Sequence, residues 1–505
     1  MSGSRSTQSG LWAALAFAVA AGGAAAPIAL HPLLPLVDLP NHIARLHIAG
    51  TGGAGPLADY YTYRLAPKPN AAADLLWALT GRWGDPVHFV RATLVAYAVA
   101  LVGGTMVLAR VAWGRWSPWP AASALVVYSG AFFWGFHNFV LSVPGAVLGL
   151  ALWLATERWR TRWRVALFVP VALALYGMHF FGFAALAIGA FGREVQRLAG
   201  GETGWRQTAS LALPFLGPTV WTAVQSLDGP PSSAGAQSLF GGWSERLEVL
   251  RAPVLSAPAE AVPAISSAGD AALALFAGAL LLAVRRRGLR LTFAPALKGP
   301  VIALAVVALA MPFWLNGVAM THLRLPAVLA AVLFAATEWR GLTRGHAALL
   351  AAAVAGVLTA RAVSLDRYAS AYDADLADLT AVLAELPEGA RLLPLRAPGQ
   401  EPDRRLWHVA AVAVWQRQAF VPTLFQGVDA LDVRTRWEDR ADPATYPTEI
   451  DDALNPGAIS RVFIRNWPAK FTHVLTLDRG AEGIEAGPVR LLSGAGRFTL
   501  YAVVR

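Results

Sequence analysis

The 505 residues are 56% hydrophobic and only 15% charged, with a mean hydropathy of +0.46, which is too apolar for a water-soluble chain of this length. A net charge of +10 and a pI near 10.2 would suit a nucleic-acid binder, but the basic residues sit in short loops between apolar runs, as in loops retained on the cytoplasmic side of a membrane. With no cysteine, disulfides, iron–sulfur clusters and thiolate chemistry are excluded, and the chain reads as a polytopic membrane protein with no nucleic-acid partner.

Apolar runs of spanning length are expected near residues 11–30, 87–109, 119–136, 139–156, 207–226, 264–284, 299–315, 324–337 and 346–363. The first shows no A-x-A-like cleavage site and is long enough to stay as an anchor. The run 165–192 reads either as one long helix or as two short ones broken at Met178-His179. Arginine-rich flanks on both sides of it, 157–164 and then Arg193, Arg197 and Arg206, call for an even number of crossings and therefore for two helices. With that choice the basic turns 110–115, 285–290 and 340–344 fall on one side of the membrane. About 11 spans are expected, with a cytoplasmic N-terminus.

Composition changes at residue 364. The tail 364–505 carries 16 basic and 19 acidic residues, so it is −3 while the remainder is +13. Helical runs at 374–386 and 405–416 alternate with extended runs at 390–395, 473–477, 489–492 and 498–504, the pattern of a small α/β unit. The expected organisation is an all-α membrane bundle over 1–363, carrying an outer loop at 31–86, and an extracytoplasmic α/β domain over 364–505. The outer face then collects the loop 31–86, the turns at His137-Asn138, His179 and 316–323, the loop 227–263 with its Gly/Pro/Ser stretch 229–233, and the tail. That loop reads as mobile.

Chemistry concentrates just after the first apolar run, in Asp38-Leu39-Pro40-Asn41-His42-Ile43-Ala44-Arg45. Pro40 suits a first helical turn, so Asp38 falls at a helix N-terminus, where dipole and amides favour a carboxylate. Helical spacing sets His42 and Arg45 on one face beside a Leu39, Ile43 and Leu46 stripe suited to a bilayer interface. The plainer alternative is that Asp38 caps an interfacial helix while His42 and Arg45 meet lipid headgroups. Arg45, Arg64, Lys68, Arg82, Arg91 and Arg324 are basic on the outer side, against the usual bias, and call for an anion such as a lipid-borne phosphate. Arg324, beside His322 at the start of a span, is placed to bind it; snorkelling to headgroups is the alternative.

His137-Asn138, ringed by Phe132, Phe133, Trp134, Phe136 and Phe139, suits sugar recognition, although an interfacial aromatic belt has the same composition. His179, between Met178 and Phe180-Phe181, is similar. Asp59 with Tyr60-Tyr61 and the segment 67–70 offers a second carboxylate for a polar pocket, or a loop turn, and Asp74 takes a capping position. Walker, GxGxxG, HExxH and CxxC patterns are absent; a divalent cation is compatible with the outward histidines and aspartates, but no spacing demands one.

An aspartate in a long outer loop after the first span, many spans with short outer turns and an outer α/β tail together resemble the GT-C superfamily of membrane glycosyltransferases. Many members pair acidic residues in that loop, whereas Asp38 here has no acidic neighbour. The resemblance implies a polyprenyl-phosphate-linked sugar as donor, a lipid, glycan or protein acceptor, and an inner-membrane setting. It implies Asp38 as general base and Arg324, with Arg45, stabilising the leaving phosphate. His42, His137, Asn138 and His179 would then shape the sugar pocket, with the tail covering it or presenting the acceptor, and Asp59 and His322 are further substrate-binding candidates. Two other classes compete: a lipid or polyol transporter, which would place ionisable residues mid-span, and a non-catalytic envelope assembly protein acting through its tail.

Overall fold

The computed structural model describes residues 2–65, 68–82, 84–228, 238–254, 263–285, 289–315, 318–399, 403–426, 430–442, 447–455, 457, 461–478 and 482–504. Pro67, the Gly/Pro/Ser stretch 229–233 and the arginines 286–287 lie outside them. The chain divides into two compact units, one of Met1–Leu30 with Thr93–Asp366 and one of His31–Ala92 with Arg367–Arg505.

The first unit is helical apart from short two-stranded ladders such as Arg290–Phe293 with Thr337–Arg340. Among the described residues, four helices are long and apolar enough to cross a membrane: Ser9–Leu30, Pro86–Trp113, His137–Ala155 and Arg344–Leu383. The last runs unbroken for 40 residues through the boundary expected at 363. Shorter apolar helices include Pro295–Ala310 and Thr321–Ala336. Segments like these satisfy their own backbone hydrogen bonds, which a hydrocarbon surrounding requires.

The run 165–192 forms two helices, Thr161–Met178 and Phe180–Ala199, broken at the expected residue. His179 is extended (φ −169°, ψ 134°), and its Nδ1 accepts the Phe181 N–H at 3.0 Å, capping the second helix. Gly182, Gly189 and Gly192 line one side of that helix and let neighbours approach closely. A Cβ on Gly182 would fall 2.3 Å from Ser142 Oγ, and one on Gly192 2.4 Å from the Gly299 carbonyl oxygen. The Gln196 side chain fastens the same crossing, donating to the Pro295 carbonyl and accepting the Gly299 N–H.

The span expected at 119–136 is a shorter apolar helical segment, a 3₁₀ helix Trp119–Val126 followed by the four-residue α-helix Gly130–Phe133, rather than one continuous α-helix. Pro118 and Pro120 open the 3₁₀ helix, and Ser129, extended at ψ 170°, ends it and caps the short α-helix by accepting the Phe132 N–H. Gly135, at φ +75°, then turns the chain into His137–Ala155.

In the second unit the tail forms a mixed five-stranded sheet in the order Val489–Ala495, Phe498–Val503, His473–Leu477, Leu392–Arg396, Thr448–Glu449. The first two pairings are antiparallel and the last two parallel. His473–Leu477 is buried at every position, as a central strand covered on both faces must be. The helix expected at 405–416 is three pieces, Arg404–Leu406, Val409–Ala411 and Val412–Arg417, because His408 (φ −116°, ψ 10°) leaves the helical path.

The loop 31–86 groups with the tail rather than with the bundle it was expected to belong to. Its strand Tyr61–Tyr63 pairs antiparallel with Leu431–Val433. Tyr60 Oη donates to the Gly389 carbonyl at 2.6 Å and Tyr61 Oη to the Val421 carbonyl at 3.0 Å, while both rings meet Phe420. Such aromatic pairs, with buried hydroxyls satisfied by backbone, hold a loop firmly to a sheet edge.

Candidate functional site

Helix Leu39–Gly50 starts where the Pro40 rule puts it, and Asp38 occupies its cap position. The Asp38 side chain makes no capping hydrogen bond. Its Oδ1 lies 3.5 Å from His408 Nε2, with the carboxylate 16% and the imidazole 4% exposed. One turn along the helix, buried His42 packs against the Phe425 ring, which also meets His408 edge-on. Sequence reasoning missed His408: a single histidine in the run Trp407-His408-Val409-Ala410 carries no signal beyond core packing.

Arg45 is committed within its own unit. Its Nε and Nη2 donate to the two oxygens of Asp74 at 3.0 and 2.8 Å, both side chains being almost wholly buried, and Tyr63 Oη adds a bond to Asp74 Oδ1 at 3.1 Å. A forked, buried pair of this kind already matches the arginine's charge, so Arg45 joins two segments of the loop instead of awaiting a phosphate. Burial, and then the Asp74 carboxylate, push the Tyr63 hydroxyl well above its ordinary pKa, so it stays a donor. Asp59 lies at the surface, its side chain 73% exposed, in a pair with Arg436 at 2.9 Å.

In the other unit Arg324 opens helix Arg324–Ala336. Its guanidinium carbon stands 4.4 Å from the Phe136 ring centroid, 5.0 Å from Phe181 and 5.9 Å from Phe139. Its Nη1 is 3.0 Å from His179 Nε2. A neutral imidazole has one lone pair, and His179 Nδ1 already uses it to accept the Phe181 N–H. The Phe181 N–H at Nδ1 and the Arg324 Nη1–H at Nε2 thus compete for one lone pair, a competition that an oxyanion accepting from Nη1 would relieve. His137, first residue of its helix, is buried and 2.9 Å from Thr93 Oγ1 through Nε2, and Asn138 beside it is buried as well. His322, in the turn Thr321–Leu323, lies 3.1 Å from Glu248 Oε2 and against the Phe313 ring. Glu248 also escaped sequence reasoning, because it belongs to the helix Trp243–Arg251 inside a segment read as loop.

Among the described residues, no cluster of three or more histidines and carboxylates is arranged to hold a metal ion.

No protein-family model matches the sequence, and no curated protein matches it. Solved structures do. The crystal structure of ArnT from Cupriavidus metallidurans bound to undecaprenyl phosphate aligns at a TM-score of 0.51 and 14% identity, over 97% of this chain and 98% of that chain. The apo-state crystal structure of the same protein aligns at 0.52 and 14%, over 97% of each chain. A likeness running the length of both chains shows that this protein shares the overall fold of ArnT.

Proposed function

We propose that the protein is a glycosyltransferase that moves a sugar from a polyprenyl-phosphate donor to an acceptor at the outer face of a bacterial inner membrane. In this proposal the N-terminus is cytoplasmic and residues 364–505 are periplasmic. The observation that carries it is the full-length fold likeness to a protein crystallised with undecaprenyl phosphate. Asp38 and Arg324 support it, each within its own unit.

Asp38 acts as general base. It takes the proton from an acceptor O–H or N–H, and the acceptor atom forms a bond to the anomeric carbon while the carbon–oxygen bond to phosphate breaks. Polyprenyl phosphate leaves with the bonding electrons, and the anomeric configuration inverts. Arg324, with His179 beside it, stabilises the charge that grows on the departing phosphate. His42, His137, Asn138 and His322 are proposed to line the sugar and acceptor sites. Arg45 serves by holding Asp74, and Asp59 has no part in the chemistry.

Purified Asp38→Asn, supplied with a synthetic polyprenyl-phosphate sugar, is expected to lose about 100-fold or more of its transfer rate, the share a general base contributes. Membrane insertion and the thermal midpoint should stay as in the wild type. Transfer at the wild-type rate would overturn Asp38 as the base.

A further inference from the structure

We infer that His408 is a positioning residue for Asp38, its Nε2–H holding one carboxylate oxygen so that the other is presented to the acceptor. The inference rests on Asp38 being the base. Among the described residues His408 is the one partner of the Asp38 side chain, since the carboxylate neither caps its helix nor meets an arginine.

The tautomer follows from burial. His408 Nδ1 is buried and has no hydrogen-bond partner among the described residues. A buried N–H left unpaired carries the full desolvation cost, so the ring's single proton belongs on the nitrogen that faces an acceptor. That nitrogen is Nε2, 3.5 Å from Asp38 Oδ1. The contact is longer than a formed hydrogen bond, and such contacts at a general base tighten when substrate binds.

The imidazole is held in place from two directions. Its backbone sits between the turns Arg404–Leu406 and Val409–Ala411, and the Phe425 ring meets it edge-on at 5.0 Å and 69°. The same ring meets His42 at 6.0 Å and 63°. Phe425 thus links the helix that carries Asp38 to the segment that carries His408. Among the described residues no other hydrogen bond or ion pair holds the Asp38 side chain, so removing the Nε2 donor releases the carboxylate without removing it.

The test uses the full-length protein and two substitutions of opposite character. Gln at 408 keeps an N–H able to reach Asp38, whereas Phe fills the ring's space and has no donor. His408→Phe is expected to lower kcat by about 10- to 100-fold with both KM values within about 2-fold of wild type, as loss of orientation rather than of binding requires. His408→Gln is expected to recover to within about 5-fold of the wild-type kcat. A packing residue gives the reverse order, with Phe tolerated and Gln damaging, and that order would overturn the inference.

A second readout needs no turnover. With ¹⁵N-histidine labelling, the signal lost in His408→Gln identifies the His408 ring, and that signal is expected to move in Asp38→Asn. An unmoved signal would overturn the contact. Failure of the glycosyl-transfer proposal would look different: no transfer by the wild type from any polyprenyl-phosphate sugar, with the ¹⁵N response intact.

Discussion

Arg324 is held by ring faces as much as by charge. Its guanidinium lies over Phe136, Phe181 and Phe139, with His179 at one edge. Lysine would keep the positive charge but lose the planar stack and the fixed fork of donors, so the two cations are not equivalent here. Arg324→Lys is expected to weaken binding of undecaprenyl phosphate by about 10-fold, the equivalent of about 1.4 kcal/mol, measured as Kd in detergent. Asp59→Ala serves as the contrast and should leave that Kd within about 2-fold, since an exposed ion pair contributes little. Unchanged binding in Arg324→Lys would leave the aromatic cage without a ligand role. These residues differ in how much the sequence discloses. Arg324 and His179 stand out because a charge or an imidazole at the end of an apolar run is expensive and needs a reason. Arg45 stands out on the same grounds, but its partner Asp74 is 29 residues away, so the sequence shows the anomaly without its resolution. His408 shows neither.

Among the elements, the helix Phe180–Ala199 depends on its small residues for contact. Without a hydrophobic driving force between helices in lipid, close backbone approach supplies the packing energy. At Gly192 an added Cβ would meet the Gly299 carbonyl at 2.4 Å and the Ala303 Cβ at 2.7 Å, both rigid parts of helix Lys298–Ala310. Gly192→Ala is therefore expected to destabilise the protein by about 1–3 kcal/mol, the usual cost of overpacking, read as a lowered thermal midpoint in detergent. Gly217→Ala, on a helix where an added Cβ meets nothing within 4 Å, should match or exceed wild type. Equal midpoints for the two variants would show that the crossing yields without cost. The break at His179 was legible because arginine-rich flanks required two crossings. The break within 119–136 was not: Pro118 and Pro120 sit in an apolar run whose hydropathy suits a span, and only the backbone shows a 3₁₀ helix. Hydropathy reports which residues avoid water, not which backbone path they take.

For the molecule as a whole, the change of charge near residue 364 reports a change of composition along the chain. It could not reveal that His31–Ala92 folds with the tail, because that grouping rests on pairings more than 300 residues apart in sequence, such as Tyr60 with Gly389 and Tyr61 with Val421. Those pairings make a direct prediction about truncation. A chain ending at Asp366 keeps every residue of the helical unit but removes the strand Leu431–Val433 that pairs with Tyr61–Tyr63. It also removes the carbonyl acceptors of both tyrosines and the Phe420 ring between them. The Arg45–Asp74 pair survives as chemistry, but a buried pair is stable only while the surrounding structure excludes water from it. Trypsin should therefore cleave the truncated protein rapidly after Arg45, Arg64 or Arg82, sites that in the full chain lie within a folded unit, while cleavage within 93–366 is expected to be the same in both. Equal protection of residues 31–92 in the two proteins would mean that the loop folds on its own, and that the aromatic pairings to the tail add contact without adding stability.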